Sequence, residues 1–163
     1  MMKTLLCGLL TLAALTITTT GFAQSQSAKD DQILKDYFAK NHIQAVKTTS
    51  GLYYVITQKG KGANAKAGQS VSMNYIGKFM DGKIFDANVD DKYQPVNGRD
   101  PLNFTLGIGQ VIRGWDEGVQ LLNPGTRATL YIPSELGYGS IERGPIPANS
   151  ILVFDVELLS TGG

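Results

Sequence analysis

Proton transfer and nucleophilic attack near neutral pH draw on imidazole, thiol or an activated hydroxyl, and this chain of 163 residues holds one histidine, His42, and one cysteine, Cys7. Those counts exclude a disulfide framework, a thiolate zinc site and most Ser-His or Cys-His chemistry, because each needs imidazole or paired sulfur. What the chain has instead is aromatic residues set against glycines and one carboxylate: Tyr75, Phe85-Asp86, Val111-Ile112-Arg113-Gly114-Trp115, Tyr138-Gly139 and Phe154. A lone tryptophan on a short helix under a concave sheet would floor an apolar pocket, with tyrosine hydroxyls and Asp86 as its few polar groups. Taken one at a time, the simpler reading of each aromatic is a core residue.

Other motifs carry less. Gly107-Ile108-Gly109 opens a dinucleotide-type glycine pattern, but Ile112 stands where the third glycine belongs and no βαβ unit surrounds it. Asp86, Asn88 and Asp90 have the spacing of the first ligands of a calcium loop, yet Asp91 replaces the turn glycine and Asn97 the closing glutamate. Asn103-Phe104-Thr105 is a glycosylation sequon inside an expected strand, and His42 reads as a surface residue. With 15 basic and 14 acidic side chains, the chain has no cationic excess to draw nucleic acid or an anionic lipid surface. An apolar share of 42% against 18% charged describes one ordinary globular domain.

The elements that must position the aromatics follow from periodicity. Residues 1–23 read as an export signal: Lys3, an apolar stretch from Leu5 to Ile17, and small residues up to Ala23. At about 13 residues the stretch is shorter than the roughly 20 that span a bilayer, so no membrane association is expected after cleavage. Residues 24–47 read as a solvated linker to Lys29 and a short helix from Asp30 to Lys40, with Asp30 and Asp31 at its positive end and Asn41 as its stop. Its apolar stripe, Ile33, Leu34, Tyr37 and Phe38, must dock on its own domain or on a second copy if the helix is not to stay mobile. From residue 48 to 163 the pattern is that of strands: Leu52–Thr57, Ser70–Met80 running through Asp81-Gly82 into Phe85, Leu102–Leu106, Thr126–Ile132 and the alternating run Leu152–Leu158. Val111 to Leu121 leaves room for one short helix, and Gly114 and Gly118 let it approach the sheet closely. The class is α+β, a mostly antiparallel sheet with one solvated face folded over one short helix.

These residues also match a known family. The run Leu106-Gly-Ile-Gly-Gln-Val-Ile-Arg-Gly-Trp-Asp-Glu-Gly-Val119 resembles the helix region of FKBP-type peptidyl-prolyl cis-trans isomerases, which bind the macrolide tacrolimus. Ser72-Met-Asn-Tyr-Ile-Gly, Gly82-Lys-Ile-Phe-Asp86, Tyr138-Gly139 and Leu152-Val-Phe-Asp-Val-Glu-Leu158 resemble its other blocks in the same order, between about Ser50 and Ser160. The resemblance implies an antiparallel half-barrel wrapped around the short helix, here with an N-terminal helical extension, and rotamase activity on exported proteins in the periplasm without metal or other cofactor. It makes Trp115 the floor under the proline ring, with Tyr75, Phe85 and Phe154 as further catalytic walls and Asp86 and Tyr138 as the polar rim. Leu102, Val111, Ile112 and Ile146 complete the substrate-binding wall, and the Tyr138 hydroxyl and the Ile112 N–H resemble the family's donors to ligand carbonyls. Three departures stand out: Leu102 where an aromatic is common, a longer Ala87–Pro101 segment in which Arg99 is the candidate partner of Asp86, and an altered flap at Ser140–Pro147. The implied partners are extended proline-containing polypeptides and tacrolimus-like macrolides. The competing classes are a non-catalytic chaperone using the same groove and a small-ligand carrier. No pocket block falls in Gln24 to Val46, so the N-terminal segment is expected to be separable from the site.

Overall fold

The structure, a computed structural model, describes residues 24–162, and the expected export signal at 1–23 lies outside them. In chain order the elements are α1 (Gln26–Asn41), β1 (Val46–Lys47), β2 (Tyr53–Gln58), β3 (Ser70–Lys78), β4 (Ile84–Ala87), β5 (Leu102–Thr105), α2 (Arg113–Gly118), β6 (Arg127–Ile132) and β7 (Leu152–Thr161), with 3-10 turns at Val119–Leu121 and Ser134–Leu136. All seven strands join one antiparallel sheet in the order β1-β2-β6-β7-β3-β4. The long β3 takes β5 beside Ser70–Met73 and β4 beside Ile76–Lys78. Two-residue alternation sets the inner face. Leu152, Phe154, Val156 and Leu158 of β7 and Val71, Met73 and Tyr75 of β3 are all buried, in one core with Trp115 and Val119. The expected Asp81-Gly82 hairpin forms as a four-residue turn in which the Gly82 N–H donates to the Phe79 carbonyl at 3.0 Å.

The sheet curls over α2 because that helix has glycines where it meets the strands. A Cβ on Gly114 would lie 2.6 Å from Cγ2 of Ile132, and one on Gly118 would lie 2.8 Å from Cδ1 of Leu130. A side chain at either position would force Ile132 or Leu130 to shift or the helix, with Trp115 on it, to stand further from the sheet.

Two expectations about the N-terminal part are corrected. The helix begins at Gln26, a turn earlier than its apolar stripe suggests, because the Ser25 hydroxyl accepts the Ala28 N–H at 3.3 Å and Gln26 Nε2 donates to Asp30 Oδ1 at 2.7 Å. Asp30 therefore sits in the body of the helix. At the other end Asn41 is still helical, and His42 takes the left-handed cap at φ 54° while the Ile43 N–H closes onto the Phe38 carbonyl at 2.9 Å. His42 is exposed, as expected.

The outer face of the sheet is not wholly solvated. Leu34 and Phe38 are buried against Tyr53, Tyr131, Ile151 and Val153, with ring centroids 5.0 Å from Phe38 to Tyr53 and 4.8 Å from Phe38 to Tyr131. Val153 and Tyr131 face away from the main core and would be exposed without α1. Asp31 adds a polar fastening: it pairs with Lys35 and Lys47 and accepts the Tyr53 hydroxyl at 2.8 Å. The two lysines hold its carboxyl well below the usual carboxylate range. Further along, the outer face is polar, with Lys78–Asp155 and Arg127–Glu157 pairs across the strands.

A helix docked this way unfolds with the sheet. Leu34→Ala is expected to lower stability by about 2–5 kcal/mol, read as a lower urea midpoint of a single transition with unchanged slope. An unchanged main transition, with α1 melting separately, would show that the helix is not part of the core.

Candidate active site

Four parts of the fold converge on one cavity of about 370 Å³. The curled sheet supplies Tyr75 from β3, Phe85 and Asp86 from β4, Leu102 from β5 and Phe154 from β7. The segment entering α2 supplies Gln110, Val111, Ile112 and Trp115. The stretch after the second 3-10 turn supplies Tyr138, and the flap before β7 supplies Arg143, Pro145 and Ile146. Trp115 is 4% exposed and lies at the bottom, edge-on to Tyr75 (centroids 5.3 Å, 76°) and to Phe154 (5.1 Å, 83°). Phe104, two residues beyond Leu102 and on the same side of β5, backs the indole at 5.9 Å. Phe85 meets Phe154 at 5.6 Å and 87°, across Gly77 of β3. A Cβ at Gly77 would stand 2.7 Å from both rings, so only glycine lets them close.

Three polar groups at the rim, Tyr75, Asp86 and Arg99, are tied to one another. The Tyr75 hydroxyl donates to Asp86 Oδ2 at 2.7 Å. Arg99 Nη1 donates to Asp86 Oδ1 at 2.5 Å and to the Ala87 carbonyl at 2.7 Å. Arg99 is thus the partner of Asp86. Burial pushes the Asp86 carboxyl up, but the Tyr75 hydroxyl and the Arg99 guanidinium outweigh it and hold the group below its ordinary value. Burial, then the Asp86 charge, pushes the Tyr75 phenol up to about 12.

Arg99 reaches Asp86 because the long β4–β5 segment is folded around Asn88. That side chain is 1% exposed: its Oδ1 accepts the Tyr75 N–H at 2.7 Å, and its Nδ2 donates to the carbonyls of Met73 and Asp100 and to Asn74 Oδ1 at 3.2–3.3 Å. The calcium-like spacing therefore has an internal purpose, since Asp90 is likewise engaged by the N–H groups of Lys92 and Gln94. The glycine pattern has one too: the Gly107 and Gly109 N–H groups both donate to the Asp116 carboxylate at 2.8 Å.

All ten residues singled out from sequence line the cavity. Gln110, Arg143 and Pro145 line it as well and were not anticipated. Gln110 adjoins the recognised Val111, so adjacency could have pointed to it, whereas Arg143 and Pro145 belong to the altered flap. The Arg143 guanidinium lies 5.8 Å above the Tyr138 ring. The Ile112 N–H, at the mouth of α2, donates to no acceptor among the described residues.

A half-open antiparallel sheet closed over one short helix, with a tryptophan-floored apolar pocket between them, defines an α+β domain built around an apolar cavity. The sequence profile described as FKBP-type peptidyl-prolyl cis-trans isomerase matches residues 61–159, and the chain belongs to that family. It is 40% identical over 144 residues to the FKBP-type peptidyl-prolyl cis-trans isomerase FkpA of Aeromonas hydrophila, covering 87% of this chain and 50% of that one. It is 46% identical over 114 residues to FK506-binding protein 4 of Aspergillus fumigatus, covering 70% and 22%. Among solved structures, FkpA from Escherichia coli superposes with a TM-score of 0.68 at 36% identity, over 83% of this chain and 61% of that one. AtFKBP13 superposes with a TM-score of 0.65 at 33% identity, over 73% and 99%. The chain spans about half the length of the FkpA-type relatives it matches.

The rim electrostatics can be read directly. In an NMR titration the Asp86 carboxyl is expected to protonate below the ordinary aspartate range, and Arg99→Ala should move that midpoint upward because burial remains while one counter-effect is lost. With its value lowered on folding, Asp86 contributes stability above the unfolded carboxylate range, and that contribution is lost as pH falls through the folded value. An unchanged midpoint in Arg99→Ala would show that the ion pair does not exist in solution.

Proposed function

We propose that the chain is a prolyl isomerase that accelerates rotation about X-Pro bonds in extended polypeptides. The observation that carries this reading is the cavity itself: apolar walls over a buried indole, with the nearby carboxylate already engaged by Tyr75 and Arg99. Such a site suits a reaction that exchanges no proton with the protein. The barrier to rotation is the loss of amide resonance, about 18–20 kcal/mol, and the uncatalysed event takes tens to hundreds of seconds. In the twisted state the carbonyl oxygen loses resonance-donated charge and the nitrogen becomes more amine-like, so the reacting group is less polar than the planar amide. A dry aromatic pocket then favours the twisted state over the ground state. A millionfold acceleration corresponds to about 8 kcal/mol, within reach of desolvation, a held proline ring and hydrogen bonds acting together.

In this reading Trp115 floors the proline ring, Tyr75, Phe85 and Phe154 keep it dry, and Leu102, Val111, Ile112 and Ile146 complete the wall. Asp86 has an orienting and electrostatic role at the rim. The Tyr138 hydroxyl and the Ile112 N–H bind substrate carbonyls. Tacrolimus-like macrolides would occupy the same space, with Leu102 in place of an aromatic lowering their affinity. The chain's cellular setting we read from residues 1–23, which support export to the periplasm, where unfolded exported proteins would be the clients. For assembly, the burial of Leu34 and Phe38 within the chain supports a self-docked helix over a homodimer through α1. A dimer that dissociates on Ile33→Lys would reverse that choice.

One observation favours a second reading, a chaperone that holds extended chains without catalysis. Ile108 and Ile141 are exposed on the same two loops that carry Gln110 and Arg143. A holdase would suppress aggregation and leave isomer exchange rates unchanged.

Exchange spectroscopy on a short X-Pro peptide tests the main reading, and no enhancement at micromolar protein would sink it. Phe85→Ala is expected to cost more than Tyr138→Phe, which removes one neutral hydrogen bond worth about 0.5–1.5 kcal/mol. Activity should be nearly flat from about pH 6 to 8 and survive EDTA, since Asp86 titrates below that window and Tyr75 far above it. A tenfold bell-shaped profile would show that the apolar-pocket mechanism is incomplete. With Trp115 as the only tryptophan, tacrolimus titration should change the emission, and binding by calorimetry with silent fluorescence would remove Trp115 from the site.

A further inference from the structure

The segment that carries Tyr138 is fastened by a residue of the N-terminal helix. Asp30, on the inner side of α1 and 1% exposed, accepts the Ser134 N–H on Oδ2 at 2.8 Å, a contact between residues 104 positions apart. Its other oxygen takes the Gln26 amide at 2.7 Å. Ser134, itself fully buried, opens the 3-10 turn that precedes Tyr138. Its carbonyl accepts the N–H groups of Gly137 at 3.0 Å and Gly139 at 2.8 Å, one on each side of Tyr138 in the chain. The Gly139 carbonyl in turn takes the Asn149 N–H at 2.7 Å, at the base of the flap. One residue, Ser134, thus collects the tyrosine segment on its carbonyl and is held by a carboxylate through its N–H.

A buried N–H needs an acceptor, and a neutral one would suffice for stability alone. A buried carboxylate is costly unless its partners are well placed, and in return it demands a single geometry. We propose that Asp30 is a positioning residue for Tyr138: through Ser134 it sets where the tyrosine hydroxyl stands at the cavity, and it makes α1 a working part of the site. The inference rests on the reading in which that hydroxyl binds the substrate carbonyl.

The test is a set of variants of the chain assayed on a short X-Pro peptide in two backgrounds, native and Tyr138→Phe. In the native background Asp30→Leu should lower kcat/KM by no more than Tyr138→Phe does, about 2–12-fold, and in the Tyr138→Phe background it should lower it no further. Asp30→Asn keeps an acceptor oxygen for Ser134 and should recover most of the loss. If Asp30→Leu fails to fold, Asp30→Ala, which also removes the acceptor but adds no bulk, carries the same comparison in the two backgrounds. Leu34→Ala loosens the same helix without touching Ser134, and well below its melting temperature it should leave kcat/KM unchanged. Amide exchange at Ser134, Gly137 and Gly139 should quicken in Asp30→Leu and not in Leu34→Ala. An equal loss in both backgrounds, or an equal loss from Leu34→Ala, would make Asp30 a general stability residue and overturn the proposal. Native activity in Tyr138→Phe, with the Asp30 effect intact, would instead remove the Tyr138 assignment on which it stands.

Discussion

The depth at which α2 sits under the sheet is the constraint on which the rest of the site depends. A floor must be fixed to be useful, and Trp115 is fixed because Gly114 and Gly118 bring the helix backbone against Ile132 and Leu130. The indole then meets the edges of Tyr75 and Phe154 at centroid distances of 5.1–5.3 Å, an arrangement that the ring quadrupoles favour. Gly77 plays the matching part in the wall, where the absence of a side chain lets Phe85 and Phe154 close over β3. The cavity is the space left when these contacts are all satisfied, and its shape follows from where side chains are missing as much as from where they are large.

Around that apolar centre the polar groups serve to hold geometry. Asn88 holds the long β4–β5 segment so that Arg99 lands on Asp86, and Asp86 in turn holds the Tyr75 hydroxyl. The Asp86 and Arg99 charges are therefore paired with each other, so the carboxylate can shape the local field without exposing a group that titrates near neutrality. That arrangement agrees with chemistry in which the amide turns and no proton moves.

The N-terminal helix adds a second layer to the sheet. Leu34 and Phe38 cover Tyr53, Tyr131 and Val153 on the face opposite the cavity, and Asp30 reaches Ser134 just beyond the end of β6. One helix thereby joins the outer packing to the segment beside the pocket, and the β6–β7 connection is bracketed from both sides.

By itself the sequence determined the local structure and the cast of the site. Alternation in Leu152–Leu158 and in Val71–Tyr75 sets which side chains face inward, and that period is a property of the strand backbone, so it survives without knowledge of the partner strands. Of the thirteen residues that line the cavity, eight stood out as aromatics and their neighbours set against glycines, and Leu102 and Ile146 were legible only through the resemblance to the family. Tertiary structure alone decided three matters. The outer face of β6 and β7 is covered because an amphipathic stripe states that a helix must dock without naming the surface it docks on. Arg99 pairs with Asp86 only through the buried Asn88 hub, whose contacts reach back across β3. Asp30 reads in one dimension as a residue at a helix start, and its bond to Ser134, across 104 positions, exists only because the docked helix brings a buried carboxylate to an N–H that has no other acceptor among the described residues.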